Sequence, residues 1–296
     1  MSKVKITGHA SGSGTLTLTG PNTNSDRTIT LPDETGTVAL GVGISDSADA
    51  TAITIDSSEN VGIGVTPEAW TTFKVLQVAG EGVFRGHTDA NEDVAIERNV
   101  YYDGSWKRIN TAHAQDILLD NAGAIIFKVA DSGSADAAIT WNTAMTIDND
   151  GIVTQPLQPA FNVYKGSAQN NVTENETITW DTERFDIGSN FASNTFTAPV
   201  TGKYLMCAEV RWGNLPADSH YSCIDLVTSN RTYGYVGMIG HTGFDATQNY
   251  QTGNFIAVVD MDASDTAHVR AKPPTAGADT ADINAASSFF SGALIA

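Results

Sequence analysis

The chain has 296 residues, and 34 Asp and Glu against 16 Lys and Arg give it a formal net charge of −18. Such an acidic chain lacks the clustered basic side chains that bind phosphates, so we expect no nucleic-acid partner. No run of about 18 apolar residues occurs, so we expect no membrane insertion. Polarity comes instead from 35 Thr and 27 Gly, a composition that suits strands and turns.

Short strand–turn–strand units run through the first half of the chain. Residues 15–19 alternate Thr and Leu, as a strand with one buried face does. Three later units share one more feature, an Asp at the end of the first strand, whose side chain can bond nearby backbone N–H groups and close the turn. These residues are Asp56, Asp120 and Asp148. The pattern predicts a series of small hairpins.

Single hairpins are marginally stable, so these need a surface to pack against. We expect them to bury their apolar faces against copies of the chain. Residues 1–40 are then an N-terminal β segment. Residues 41–157 are a hairpin-rich, elongated, intertwined oligomeric stalk. The alternative is a monomeric β-sandwich with loose repeats.

One hairpin of the stalk is aromatic. Asp103 and Gly104 form a strong turn signal, and Tyr101, Tyr102 and Trp106 flank it. Cross-strand packing is the favoured interpretation, and a sugar-stacking patch is the alternative. Upstream, Pro67 is placed to open a short helical turn.

Two prolines, Pro156 and Pro159, mark a boundary, and residues 158–296 form a second domain. Its eight to ten expected strands without helices indicate a sandwich or jelly roll. The overall fold class is therefore all-β.

Several residues of this domain resemble the C1q/TNF-like family. They are Phe185 with Asp186, residues 196–200, Gly202, Tyr204 and residues 290–295. Met206 and Ala208 depart from the family pattern. The resemblance implies a jelly roll that assembles as a tight homotrimer, with Phe196, Tyr204 and Phe290 in the core. It gives Phe185, Gly202 and Phe289 core or trimer roles.

Residues 15–37, 52–67 and 101–107 are similar to segments of tailed-bacteriophage fibre proteins. This resemblance implies a virion structural protein, a homotrimeric tail fibre. It implies that residues 1–40 attach the fibre to other virion proteins and that residues 41–157 are its trimeric stalk. The C1q-like head is then expected to recognise a glycan or protein on the host surface without catalysis. Loops on a rigid scaffold carry recognition. The aromatic residues and the histidine that crowd the head loops are the candidate receptor contacts, namely Trp212, Tyr233, Tyr235, His241, Phe244 and Tyr250.

A capsid-attached head fibre or decoration protein with a structural role is the second hypothesis. A polysaccharide depolymerase is the third, because it would need opposed carboxylates and two acidic groups occur. These groups are Asp181, Glu183 and Asp186, and Asp260, Asp262 and Asp265. We expect solvated turn positions for them and no enzyme activity.

The expected cofactor is none, although the same carboxylates make Ca²⁺ the candidate ion. Cys207 and Cys223 are expected to be free thiols, and a single bridge is the alternative.

Overall fold

A computed structural model describes residues 52–89, 92–216, 220–241, 246–273 and 281–296. The predicted N-terminal segment, 1–40, lies outside these ranges. Every regular element within them is a β-strand, which confirms the all-β fold class. In the same ranges, no helix is long and apolar enough to cross a membrane.

The hairpins of the first half join edge to edge into one sheet. Eleven strands precede residue 155: β1 (Ile53–Ile55), β2 (Val61–Ile63), β3 (Phe73–Val78), β4 (Gly82–His87), β5 (Val94–Arg98), β6 (Tyr101–Tyr102), β7 (Trp106–Lys107), β8 (Ala112–Leu119), β9 (Ile125–Gly133), β10 (Asn142–Ile147) and β11 (Val153–Thr154). Nine of them form a sheet in the order β1-β2-β3-β4-β5-β8-β9-β10-β11, and β6 pairs with β7 alone. Neighbours are antiparallel except β2 and β3.

The three Asp-terminated turns have one geometry. Asp120 Oδ1 accepts from the backbone N–H groups of Ala122 and Ala124 at 3.1 and 2.7 Å. Asp56 and Asp148 accept from the groups two and four residues ahead in the same way. The predicted hairpins at these turns are therefore present as β1–β2, β8–β9 and β10–β11.

One face of the nine-stranded sheet is covered and the other is not. Phe73 and Val75 on β3 are buried with Trp70 and Tyr101 beneath the β6–β7 hairpin. The segment around Pro67 forms no helical turn, because its backbone bonds elsewhere: Trp70 N–H donates to the Glu68 carbonyl and Thr71 N–H to the Tyr102 carbonyl.

The opposite face carries a continuous apolar row. Residues that pair directly across neighbouring strands point to the same side of a sheet. Eight such residues, one on each of eight consecutive strands, are apolar: Ile55, Val61, Leu76, Phe84, Ile96, Ile117, Phe127 and Met145. We call them the apolar row of the sheet. Most of its side chains are exposed in the single chain.

Twelve strands follow residue 159: β12 (Ala160–Tyr164), β13 (Gln169–Val172), β14 (Thr182–Ile187), β15 (Phe191–Ala192), β16 (Thr195–Thr197), β17 (Gly202–Gly213), β18 (Tyr221–Thr228), β19 (Thr232–Gly240), β20 (Gln251–Met261), β21 (Thr266–Lys272), β22 (Ala281–Ile283) and β23 (Phe289–Leu294). The first sheet contains the strands β14-β12-β23-β17-β20 in that order; β22 also pairs with the last residues of β17, and β13 pairs with β22. The second sheet is β15-β16-β21-β18-β19. Two such antiparallel sheets with long crossovers form a jelly roll.

Aromatic rings fill the core between these sheets. Phe161 stacks on Phe196 and Phe191 at 4.7 and 5.1 Å between ring centres, and it meets Phe290 edge-on at 4.9 Å. Tyr204 is also fully buried, and its hydroxyl donates to the Val200 carbonyl. Stacked and edge-on rings each add about 0.5–1.5 kcal/mol beyond the burial of their area.

Candidate functional site

Trp212, predicted as a receptor contact, is buried in the core of the head. Trp212 is 0% exposed, because β17 alternates its side chains and places Trp212 on the core side with Tyr204 and Val210. A side chain without exposed surface does not contact a receptor. The sequence placed it before a loop but did not give the side to which it points.

His241 is also buried and is therefore corrected in the same way. Its Nε2 lies 3.1 Å from Ser222 Oγ, a buried polar contact. Burial lowers the pKa of His241 below its usual value, so the ring is neutral near pH 7. The residue belongs to the interior of the head, not to its recognition surface.

Two of the candidate tyrosines are well exposed. Tyr235 on β19 and Tyr250 just before β20 are 57% and 65% exposed, and both have positive φ, 57° and 65°. A cation lies over each ring, Lys272 Nζ at 4.8 Å and the Arg211 guanidinium at 4.3 Å. A left-handed backbone is uncommon for a bulky residue, so the fold holds these rings at some cost.

Tyr233 is half-buried against the core, and Phe244 lies outside the described residues. The structure thus leaves Tyr235 and Tyr250 as the exposed aromatic residues of the original set.

Phe185, Gly202 and Phe289 occupy different environments. Phe185 is exposed on β14, and Phe289 is half-buried on β23. Gly202 is the first residue of β17. A Cβ atom at this position would lie 2.5 Å from the Ala296 carbonyl oxygen and 2.6 Å from Leu294 Cδ1, so a larger residue does not fit without a shift.

The acidic groups bind the chain's own backbone. Asp181 accepts from the N–H groups of Gly166 and Ser167, and Asp186 accepts from those of Asn190 and Phe191. Asp265 accepts from Ser229 Oγ and Asn230 Nδ2 at 2.7 and 2.6 Å. Among the described residues, no group of three or more His, Cys, Asp or Glu side chains is placed to hold a metal ion. Calcium binding therefore stays a prediction.

Both cysteines are free, as predicted. Cys207 is half-buried with its sulfur 2.9 Å from Ser291 Oγ, whereas Cys223 is buried. Burial raises the pKa of the Cys223 thiol to about 11, so it stays protonated and unreactive at neutral pH.

The outer face of the β14-β12-β23-β17-β20 sheet is a feature that the candidate set missed. Leu205 pairs directly with Val258 and Cys207 with Ile256, and these apolar side chains point away from the core. Ile256 is 78% exposed. The signal was present in the sequence, because residues 255–259 are apolar without alternation, which is typical of a strand covered on both faces.

No protein-family model and no curated protein matches this chain. Among solved structures, the globular domain of zebrafish complement 1qA is similar over 47% of this chain and 98% of its own, with 16% identity and a TM-score of 0.36. Murine APRIL at pH 8.5 is similar over 47% of this chain and 99% of its own, with 12% identity and a TM-score of 0.35. The strand order described above defines the jelly roll independently of these likenesses.

Proposed function

We propose that this chain is a homotrimeric virion structural protein, a tail fibre whose C-terminal jelly roll binds a host-surface receptor, a glycan in first place, without catalysis. The observation that carries the proposal is the pair of exposed apolar faces, one on each half of the described chain. Monomeric soluble proteins rarely expose contiguous apolar patches of this kind, which mark interaction sites.

The net charge limits the surfaces through which copies of the chain can associate. Two molecules with a net charge of −18 each repel one another, so they associate through surfaces that carry few charges. The apolar row of the sheet contains no charged residue over eight strands. Trimerisation is also what the resemblance to the C1q/TNF-like family implies.

The fibre role rests on the resemblance of the hairpin segments to phage fibre proteins. The structure is compatible with that role, because every hairpin of the first half except β6–β7 adds strands to one sheet. Three heads on one trimer gain avidity when each site binds weakly.

The experiment is a mass measurement by light scattering on the purified chain. We expect three times the chain mass for the wild type and a lower average mass for Ile256→Asp, because a carboxylate in an apolar interface is desolvated without a partner. Met238→Asp is the matched control: Met238 is 61% exposed on β19 in the other sheet, so its variant should stay trimeric.

A monomeric wild type contradicts the trimer. Recognition is tested with the same proteins as competitors of phage adsorption to host cells. The wild-type trimer should block adsorption, and a trimeric Tyr250→Ala variant should block it less. Equal blocking by the two would remove Tyr250 from the receptor site.

A further inference from the structure

A cleft of about 290 Å³ lies on the covered face of the nine-stranded sheet, next to the β6–β7 hairpin. This volume is near the lower end of small-molecule sites, roughly 300 Å³. Tyr102 and Trp106 come from the hairpin, whereas Asp120 and Asn121 come from the β8–β9 turn. The cleft is distinct from the head and lies within one chain.

The aromatic residues form a step at the cleft. Tyr102 and Trp106 pair across the hairpin with ring centres 4.9 Å apart, and each lies about 5.5 Å from Phe73. Phe73 is buried, whereas the two hairpin rings are half-buried. Packing therefore uses part of each hairpin ring and leaves the rest accessible from the cleft.

Two polar groups of the cleft lining, on Asp120 and Asn121, make no hydrogen bond to another described residue. Asp120 uses Oδ1 to close its own turn, and its Oδ2 accepts no hydrogen bond within the described part of the chain. The side-chain amide of Asn121 makes none to a described residue either. Asp93 and His87 complete the polar lining. An amide and carboxylates beside aromatic rings suit hydroxyl groups, which both donate and accept.

The charge at the cleft favours a neutral ligand. Arg85 is buried, and its guanidinium lies 4.5 Å from the Phe73 ring centre and 4.9 Å from that of Trp106. It also contacts Asp93 at 3.3 Å. The protein's own cation thus takes the cation–π position on these two rings and balances Asp93, while the carboxylates repel an anion.

We propose that this cleft binds a neutral pyranoside. The apolar C–H face of the sugar packs on Trp106 and Tyr102, and its hydroxyls bond Asp120 Oδ2 and the Asn121 amide. The site is complete in one chain, so binding here does not depend on trimerisation or on the head.

The test is saturation-transfer-difference NMR on the full chain with methyl glucoside, galactoside, mannoside and N-acetylglucosaminide. We expect at least one to show saturation of its ring C–H protons. Asn121→Ala should weaken that binding roughly three- to tenfold, the effect of losing one hydrogen bond. Trp106→Leu should abolish it.

Ser57→Ala is the matched control, because the exposed Ser57 follows Asp56 in the β1–β2 turn as Asn121 follows Asp120. It should leave binding unchanged, as should Tyr250→Ala in the head. Asn121→Ala keeps the test valid if Trp106→Leu does not fold. The proposal would be overturned if no glycoside bound, if choline alone bound, or if Asn121→Ala and Ser57→Ala had equal effects. Loss of binding in Tyr250→Ala with Asn121→Ala unaffected would also overturn it.

Discussion

At the scale of single residues, the three Asp-terminated turns differ at one position. The third residue after the Asp has positive φ in all three, 89° at Gly123, 82° at Gly151 and 63° at Glu59. Glycine adopts this conformation readily, whereas a side chain there costs roughly 1–2 kcal/mol. The first turn of the sheet is therefore strained where the other two are relaxed.

We predict that Glu59→Gly stabilises the protein by roughly 0.5 kcal/mol, because relief of this strain exceeds the weak exposed pair of Glu59 with Lys74. The reverse change, Gly151→Glu, should destabilise it by roughly 1–2 kcal/mol. Urea unfolding of the two variants measures both effects. Effects of the same sign would show that backbone conformation does not control these turns.

At the scale of elements, the covered face of the nine-stranded sheet holds buried charges. Arg85 on β4 bonds Glu97 on β5 at 2.8 Å, and Lys128 on β9 pairs with Asp116 on β8 at 3.1 Å. Burial raises the pKa of Glu97 to about 7, against the lowering effect of Arg85. The folded sheet therefore holds the Glu97 proton more tightly than the unfolded chain does.

The predicted consequence is a pH-dependent stability. The contribution of Glu97 is complete below its unfolded value of about 4.5 and is lost as pH rises through about 7. Urea midpoints between pH 5 and pH 8 should fall for the wild type relative to Glu97→Gln. The exposed Glu92→Gln variant controls for the change in net charge and should follow the wild type. Parallel curves for wild type and Glu97→Gln would refute the assignment.

At the scale of the whole molecule, charge and apolar surface act against each other. Three copies carry three times −18, which is −54. In the proposed trimer such a charge opposes the approach of charged surfaces, so the apolar faces are the surfaces through which copies would associate. In the proposed receptor-binding role the same charge opposes a negatively charged cell surface, and Lys272 and Arg211 place positive charge beside the candidate contacts Tyr235 and Tyr250.

The location on the particle distinguishes the two structural hypotheses. A gold label on the C-terminus should appear at the tips of tail fibres in electron micrographs, because the head is expected to face outward. Label on the capsid shell would instead establish the head-fibre or decoration role. An antibody against another tail protein provides the reference position.

The parts of the fold that are held by contacts between residues close in sequence could be predicted from the sequence. The turns at Asp56, Asp120 and Asp148 form from hydrogen bonds that span two to four residues, so the local pattern was sufficient. The Tyr102–Trp106 hairpin followed from its turn residues in the same way. Phe196, Tyr204 and Phe290 were identified through resemblance, and the structure places them in the core.

Tertiary structure alone decided which surfaces are available. Strand periodicity gives two faces to β17 but does not say which is inside, so the sequence predicts a surface contact at Trp212, whereas the side chain is buried. The merging of hairpins into one sheet, and the cleft that brings Tyr102 to Asn121, depend on pairing between β5 and β8. The sequence by itself determined local turns and strand class. Long-range pairing decided burial and sites, because those contacts join residues that no local hydrogen bond connects.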